Sequence, residues 1–305
     1  MKYRFLGRKK AYWFFISGLI IVAGVASLYF WKLPFGIDFK GGTVLELQIE
    51  KNPSVEDART KVTSIEQGKG GSVTKTQDGT YLVKTGPLSP EEQKSVTDTL
   101  GKDYGTITVK QSDTVGATIS NDLTRKAIYA VIIASLLIII YLAIAFRGVV
   151  KPVSSWRFGV TAVVALLHDL IVTVGIFAVL AHYLNFEVDA SIIPALLTVM
   201  GFSVHDTIVV FDRLRENLLM VKDGGSLHFE KLADESIDQT LNRSLATSLT
   251  VIFTLSALAL IGGSSIRPFV LTLLVGITIG TYSSIFTATP LLVVWQNRIS
   301  KKAQS

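Results

Sequence analysis

Six long apolar stretches constrain this chain more than any other feature of its sequence. A helix needs roughly 20 residues, at 1.5 Å each, to cross about 30 Å of hydrocarbon, and each stretch is about that long. Hydrophobic residues make up 49% of the 305-residue chain and charged residues 18%, whereas soluble domains carry about 25% charge. The sequence therefore predicts a polytopic α-helical membrane protein. The predicted spans are residues 11–31, 127–146, 158–181, 188–212, 244–262 and 267–295.

The positions of lysine and arginine predict how these spans are oriented. Positive residues flank the first span and fill the second connection, the fourth connection and the tail, whereas the third connection has none and the fifth only Arg267. Because cytoplasmic loops are enriched in lysine and arginine, we expect both termini in the cytoplasm and the long first loop outside. The residues used are Lys2, Arg4, Arg8, Lys9, Lys10, Arg147, Lys151, Arg157, Arg213, Arg215, Lys222, Lys231, Arg298, Lys301 and Lys302.

Three domains follow from this pattern, with one alternative at the N-terminus. We expect a cytoplasmic N-terminus and first helix in residues 1–31, an outer domain in 32–124, and helices 2 to 6 with their connections in 125–305. The alternative is a cleavable signal peptide, because the small residues 23–26 follow a basic start and an apolar run. That run is longer than a usual signal core, which favours a membrane anchor.

The outer segment predicts a small α+β domain. Leu45, Leu47 and Ile49 alternate with polar positions, which is typical of a strand with one buried face. A helical pattern follows from Val55, then a hairpin around residues 77–79, a helix starting at Ser89-Pro90-Glu91-Glu92, and a strand at 105–111. The order β-α-β-β-α-β is that of a ferredoxin-like fold.

The outer domain contains no pattern typical of an enzyme. It has no His-carboxylate pair and no nucleophile motif, and residues 68–71 read as a flexible glycine loop rather than a phosphate cradle. The chain has no cysteine, which excludes disulfides and thiolate metal sites. Its net charge of +6 lies at the ends of apolar runs and gives no reason to expect nucleic acid. We interpret this domain as a binding or force-transmitting module.

Polar groups inside the apolar stretches are the candidate functional residues. A charge at the centre of a spanning helix costs about 2.5–3.5 kcal/mol, so such groups should face protein or water. His168-Asp169 lies roughly 18 Å into the third span and His205-Asp206 roughly 10 Å inside the end of the fourth. Arg243 stands near the start of the fifth span, on the side from which it could reach Asp206.

Each of these groups has a plainer interpretation. Asp169 could simply fasten one helix to another, either histidine could be a hydrogen-bonded link, and Arg243 could be a positive-inside anchor. For Asp206 the functional interpretation, a proton or ion pathway, is favoured. Neither intramembrane histidine has a second histidine at helical spacing, so we expect no metal site. A further group of charges at the end of the fourth span reads as interfacial solvation and comprises Asp212, Arg213 and Arg215.

Four segments together resemble the SecF members of the SecD/SecF family, which belongs to the resistance-nodulation-division superfamily. Residues 35–43 (FGIDFKGGT) follow the first span, and residues 167–169 (LHD) lie in the third. Residues 201–217 (GFSVHDTIVVFDRLREN) cover the fourth span's end, and residues 239–248 open the fifth. The resemblance extends over nearly the whole chain because the order of six spans and one large first loop also agrees.

This resemblance implies a role in protein export rather than an enzymatic activity, and no cofactor. It implies partnership with SecD and the SecYEG translocon, with other auxiliary membrane subunits, and with translocating preprotein through the outer domain. It further implies a multi-pass protein of the bacterial cytoplasmic (inner) membrane that uses proton motive force. Asp206 would be the titrating carboxylate with Arg243 as its charge partner. His168 and Asp169 match a motif of less defined role, and position 205, often Asn in relatives, is His here.

The glycine-rich segment after the first span has a separate implied role. In the family pattern it is a structural collar that joins the first span to the outer domain. Two alternatives to a proton-coupled export component stay open from the sequence: a structural subunit that holds SecD and the translocon together, and half of a small-molecule or lipid exporter that would need an equal partner. The collar residues are Gly36, Asp38, Gly41 and Gly42.

Overall fold

In the structure, a computed structural model, the chain forms two compact units. The structure describes residues 5–65, 72–76, 79–147, 154–220 and 229–302. The first unit comprises Met1–Pro34 and Tyr129–Ser305, and the second comprises Phe35–Ile128. In chain order the helices of the described residues are α1 (Lys10–Phe30), α2 (Ile37–Lys40), α3 (Val55–Ile65), α4 (Pro90–Tyr104), α5 (Ala117–Ala145), α6 (Ser155–Leu184), α7 (Ile192–Met220), α8 (Phe229–Ile261), α9 (Arg267–Ser283) and α10 (Thr289–Lys302).

Six helices of the described residues are long and apolar enough to cross a membrane, which confirms the predicted polytopic fold. They are α1, α5, α6, α7, α8 and the continuous stretch Arg267–Ile299. That last span contains α9, a π-helical turn (Ser284–Ala288) and most of α10.

The helices α7 and α8 extend beyond their predicted spans. The apolar patterns ended at 212 and began at 244, whereas α7 runs to Met220 and α8 begins at Phe229. The extensions are joined by Asn217, whose Nδ2 donates to Ser236 Oγ at 2.8 Å and to Gln239 Oε1 at 3.0 Å. A hydropathy window measures apolar length rather than helix length, so it cannot detect these polar continuations.

Burial divides the spanning helices into an inner and an outer set. The helices α6, α7 and α9 supply most of the buried positions, whereas few residues of α5 are fully buried. Between α1 and α6, a Cβ on Gly175 would lie 2.5 Å from Gly24 Cα, and Ser27 Oγ donates to Gly175 O at 2.7 Å. Small residues therefore allow this helix pair to approach closely, as is common in membranes.

The N-terminal segment is held by acids of α8. The backbone N–H groups of Phe5 and Leu6 both donate to Asp234 Oδ1 at 2.9 Å, and Lys10 Nζ lies 2.7 Å from Glu230 Oε2. These contacts fix the entry to α1 within the first unit. Of the charges used to predict orientation, Lys2, Arg4, Lys151 and Lys222 lie outside the described residues.

The second unit contains a four-stranded antiparallel sheet. Its spatial order is β2-β3-β1-β4, and with α3 and α4 the chain order is the predicted β-α-β-β-α-β. The strand residues Leu45, Leu47 and Ile49 are buried against Val62 of α3 and Val96 of α4. The expected hairpin residues 77 and 78 and the expected glycine loop 68–71 lie outside the described residues. The strands are β1 (Gly42–Ile49), β2 (Ser72–Lys75), β3 (Tyr81–Thr85) and β4 (Ile107–Val115).

The helix start predicted at Ser89 is present. The Ser89 Oγ accepts from the Glu92 N–H at 3.3 Å, and the Glu92 carboxylate accepts from the Ser89 N–H at 2.7 Å. This reciprocal pair is a capping box, which supplies partners to the otherwise unpaired N–H groups of the first turn.

The backbone geometry of the predicted collar explains why it contains glycine. Gly36 caps the one-turn helix α2, which contains Asp38. Gly41 and Gly42 have φ values of 75° and 145°, and a Cβ on Gly42 would lie 2.6 Å from the Thr85 carbonyl oxygen. Any larger residue would strain the backbone and collide with β3, so the pair sets the start of β1. The predicted joining role of this segment stays a prediction.

Candidate functional site

The first buried polar cluster surrounds Asp169 of α6, which is fully buried. Its Oδ2 accepts from Ser203 Oγ of α7 at 2.5 Å and from Ser283 Oγ of α9 at 2.6 Å. The Asp169 Oδ1 lies 2.9 Å from Nδ1 of the neighbouring His168, which is also buried. Asp169 thus has partners on three helices, and the plainer prediction of a helix fastener describes its contacts well.

One atom of this cluster lacks a partner. The Nε2 of His168 is buried and has no hydrogen bond within the described part of the chain. A neutral imidazole can leave this nitrogen as an acceptor, while its Nδ1–H donates to Asp169. An N–H at Nε2 would be a second buried donor on this ring, and it would need an acceptor that the described residues do not provide.

The second cluster surrounds Asp206 of α7, whose side chain is 1% exposed. Its Oδ2 accepts from Ser248 Oγ of α8 at 3.2 Å. The Ser248 hydroxyl lies 2.7 Å from Thr281 Oγ1 of α9, so the chain of contacts crosses three helices. Among the described residues, Asp206 therefore has a single, longer hydrogen bond where Asp169 has three short contacts.

Close packing of α7 on α9 brings the two clusters together. A Cβ on Gly280 would lie 3.0 Å from Ser203 Cβ, and a Cβ on Gly276 would overlap the Val199 side chain. This small-xxx-small spacing lets the helix backbones approach. On α7 the two clusters involve Ser203 and Asp206, which lie one turn apart. On α9 they involve the hydroxyls of Ser283 and Thr281, two residues apart.

A π-helical turn follows directly after these α9 hydroxyls. It spans Ser284–Ala288, and the Thr289 hydroxyl donates to Ser284 O at 3.1 Å. Ser17 of α1 lies 2.9 Å from Thr287 within this turn. Such single π turns within α-helices are rare and frequently occur at functional sites.

The described residues show no ion pair between Asp206 and Arg243, so the predicted partnership of these two residues stays a prediction. Arg243 is exposed on α8, and in the described residues it is Ser248, more than one turn further along, that contacts Asp206. His205 is exposed as well, since successive residues of an α-helix point about 100° apart and its neighbour Asp206 faces inward. Spacing along one helix cannot tell which of two adjacent residues faces inward.

The charges near the end of α7 form a surface network, as the interfacial interpretation expects. Arg213 pairs with Glu216 and donates from Nε to Gln239 Oε1 at 2.5 Å. Arg215 Nη1 lies 3.9 Å from Asp212 Oδ1 and 3.4 Å from the Ala145 carbonyl at the end of α5.

Four hydroxyl residues were missed by the sequence analysis. Three of them contact the acids directly and Thr281 contacts Ser248, yet serine and threonine are frequent in spanning helices and often bond only to their own backbone. Helical spacing would have pointed to one of them, since Ser203 lies one turn before Asp206 on α7. The four are Ser203, Ser248, Thr281 and Ser283.

Fold and site together define a multi-pass membrane protein whose helix bundle encloses two acid clusters and whose first loop forms an α+β domain. Residues 95–298 match the C-terminal region of the SecD/SecF protein export membrane proteins, and residues 32–53 match the SecD/SecF GG motif. The chain belongs to the SecD/SecF family.

Individual relatives agree with this assignment. The chain is 43% identical to protein translocase subunit SecF of Thermobaculum terrenum, covering 93% of this chain and 92% of that one. It is 40% identical to the SecF subunit of Anaerolinea thermophila, over 94% and 93% of the two chains. The crystal structure of SecDF from Thermus thermophilus matches with a TM-score of 0.81 and 34% identity, covering 98% of this chain. The chain spans 39% of that longer SecDF chain.

Proposed function

We propose that the chain is a SecF-type subunit of the Sec protein-export machinery and that it couples proton movement to export through Asp206. Family membership and similarity to subunits named SecF over most of both chains support the export role. The observation that carries the proton role is the burial of Asp206 with one hydroxyl contact at 3.2 Å.

The physical reason is the balance between two protonation states. A charged carboxylate within hydrocarbon costs about 2.5–3.5 kcal/mol on insertion scales, and one long hydrogen bond offsets only part of that cost. A protonated carboxyl can in turn donate to a hydroxyl. Asp206 therefore has a suitable partner in both states, which a group that binds and releases a proton requires.

The helices that contact each acid suggest what moves. Asp169 connects α6, α7 and α9, whereas Asp206 connects α7, through Ser248 and Thr281, to α8 and α9. In this mechanism the Asp169 contacts hold α6, α7 and α9 together, and protonation of Asp206 changes how α8 packs against them. The movement would reach the outer domain through the chain connections to α1 and α5.

We further propose the partners and the orientation. His205 and Arg243 expose polar groups on spanning helices, and such groups normally face protein or water rather than lipid. A SecD subunit in contact with these residues would satisfy them, with the SecYEG translocon and the exported preprotein as further partners. The positive-inside pattern favours both termini in the cytoplasm of a bacterium and the second unit outside its inner membrane.

Replacement of Asp206 by Asn tests the proton role. Asn keeps the size and an acceptor oxygen but cannot titrate, so we expect folded protein, an intact complex with SecD, and loss of the export that depends on proton motive force. The measurement is export of a reporter preprotein in cells that lack the native copy, with and without an uncoupler. Asp212→Asn on the same helix is the matched control, because Asp212 is exposed.

The same variant separates the proposal from a purely structural role. Copurification of SecD with Asp206→Asn is measured alongside export. An intact but inactive complex supports proton coupling, whereas loss of the complex supports an assembly subunit whose polar groups connect helices. Full uncoupler-sensitive export by the variant would rule out the role of Asp206.

A further inference from the structure

The strand β4 leaves one edge of the outer sheet open. It spans nine residues and pairs with β1 on one side, while no other described strand pairs with its second side. Seven of its residues, from Thr108 to Thr114, are exposed, and Val109 is 44% exposed. A long unpaired edge is a template for another extended chain, and proteins that do not use such an edge usually protect it.

The ladder shows which backbone groups point outward. The Glu50 N–H donates to the Thr106 carbonyl at 3.2 Å, which makes this a bonded position between β1 and β4. Because bonded and non-bonded positions alternate in an antiparallel ladder, Thr108 opposite Gln48 is the next bonded one. The N–H and C=O groups of Ile107 and Val109 therefore face the open edge.

A bulge at Lys110 protects part of this edge, because bulges and lysines on edge strands hinder further pairing, and it also keeps one face of β4 turned toward α4. The register shifts between Glu46 and Leu47, which leaves Lys110 as the extra residue of β4. Beyond it, Gln93 of α4 bonds Ser112 at 2.8 Å and Thr114 at 3.0 Å, so α4 covers that end of the strand. Before the bulge, Ile107 packs against the domain core, whereas Val109 on the same face is 44% exposed.

A cavity lies beside this part of β4. It has a volume of about 590 Å³ and is formed between α4 and β4 within the second unit. Gly101 leaves room on the helix side, since a Cβ there would only touch Ile107 Cγ1 at 3.8 Å. The lining residues are Thr97, Asp98, Gly101, Lys102, Ile107 and Val109.

We infer that the β4 edge and the α4–β4 cavity bind an extended segment of the polypeptide being exported, which adds to the sheet as a strand. The inference rests on the proposed export function, which supplies the unfolded chain. Main-chain hydrogen bonds would hold the segment, and alternate side chains would enter the cavity. The lining combines two apolar residues, one acid, one lysine and a hydroxyl, so it selects no single side-chain class. Such tolerance suits a ligand whose sequence changes as it passes.

Gly101→Leu tests this inference without weakening the domain. A leucine would fill the cavity, and it is also a better helix former than glycine by roughly 0.5–1 kcal/mol. The full-length chain in lipid nanodiscs is titrated with fluorescein-labelled, reduced and carboxymethylated lactalbumin, a permanently unfolded polypeptide, and binding is followed by anisotropy. We expect binding to weaken by about tenfold or more. Ser95→Leu, at an exposed position of α4 outside the cavity, should bind as the parent does.

A cross-link locates the ligand directly. The chain has no cysteine, so a single introduced thiol reports one position. Val109→Cys on the open edge should cross-link to an export-arrested preprotein that carries one cysteine, whereas Thr74→Cys on the other edge strand should not. Unchanged polypeptide binding by Gly101→Leu, equal cross-linking at both positions, or a Val109→Cys cross-link formed only to a second copy of this chain or to SecD would overturn the inference.

The proposed function and this inference can fail separately. If Asp206→Asn loses export but Gly101→Leu still binds the unfolded polypeptide normally, the binding site is wrong and the proton role stands. If Gly101→Leu loses binding while Asp206→Asn exports fully, the proton role is wrong and the binding site stands.

Discussion

Asp169 and Asp206 are the same residue type in the same helix bundle, yet their surroundings differ sharply. Both side chains are buried, but Asp169 contacts two hydroxyls and an imidazole within 2.9 Å, whereas Asp206 has one hydroxyl at 3.2 Å. Burial alone therefore does not distinguish a structural acid from a candidate proton carrier. The number of fixed donors does, because donors hold a carboxylate in one state and their scarcity lets the state change.

In the proposed mechanism, neighbouring helices have different mechanical roles. The two clusters share α7 and α9, while α6 belongs to the first and α8 to the second. A well-bonded cluster beside a sparsely bonded one provides a fixed part and a movable part within one bundle. Two-state elements of this kind are what allow a local change in charge to shift a larger structure.

The largest expected effect on stability is that of Asp169→Ala. The substitution leaves two hydroxyls and His168 without their acceptor, so we expect the free energy of unfolding to fall by about 2–4 kcal/mol. Asp206→Ala is the matched comparison and should cost less, because Asp206 accepts one longer hydroxyl hydrogen bond among the described residues. Both are measured by reversible unfolding of the full chain in mixed detergent micelles. Equal losses for the two variants would show that the clusters are energetically alike and would break the comparison.

A smaller effect is expected from the serines that contact Asp169. Ser203→Ala and Ser283→Ala each remove one interhelical hydrogen bond, worth about 0.6–1.7 kcal/mol in membrane proteins. Ser248→Ala, which removes both the longer contact to Asp206 and the 2.7 Å contact to Thr281, is the comparison in the second cluster and should fall within the same range. Combining Ser203→Ala with Asp169→Asn in a double-mutant cycle measures the interaction energy between Ser203 and Asp169. A coupling energy near zero would contradict the interpretation that Asp169 holds the helices together.

Much of this architecture could be predicted from the sequence because its signals are local. Apolar length located the six spans, and the alternation of Leu45, Leu47 and Ile49 with the cap at Ser89 located the outer domain. The polar extensions of α7 and α8 could not be predicted, because their support comes from contacts between helices such as that of Asn217 with Ser236.

The site was less predictable, since it depends on which side of a helix faces inward. Asp206 and Asp169 were identified because acids in apolar sequence are rare. The contact of Asp206 with Ser248 instead of Arg243 follows from the rotation of α8, which one sequence does not define. The serine partners of Asp169 come from residues far apart along the chain, and only the tertiary structure brings them together.

The smallest expected effect concerns an acid in the opposite environment, the exposed Glu50 of the outer domain. The backbone N–H of Thr106 donates to its Oε2 at 2.8 Å and lowers the pKa of Glu50 below its ordinary value of 4.5. A lowered pKa in the folded state contributes stability above the ordinary value, and this contribution is lost as the pH falls through the folded pKa. Glu50→Gln should therefore reduce the pH dependence of amide exchange protection at the β1–β4 pairing below pH 4.5, whereas Glu56→Gln on α3 should leave it unchanged. An identical pH profile for Glu50→Gln and the parent would show that a hydrogen-bond donor to an exposed carboxylate does not favour its charged form. That result would weaken the argument that the number of donors distinguishes Asp169 from Asp206.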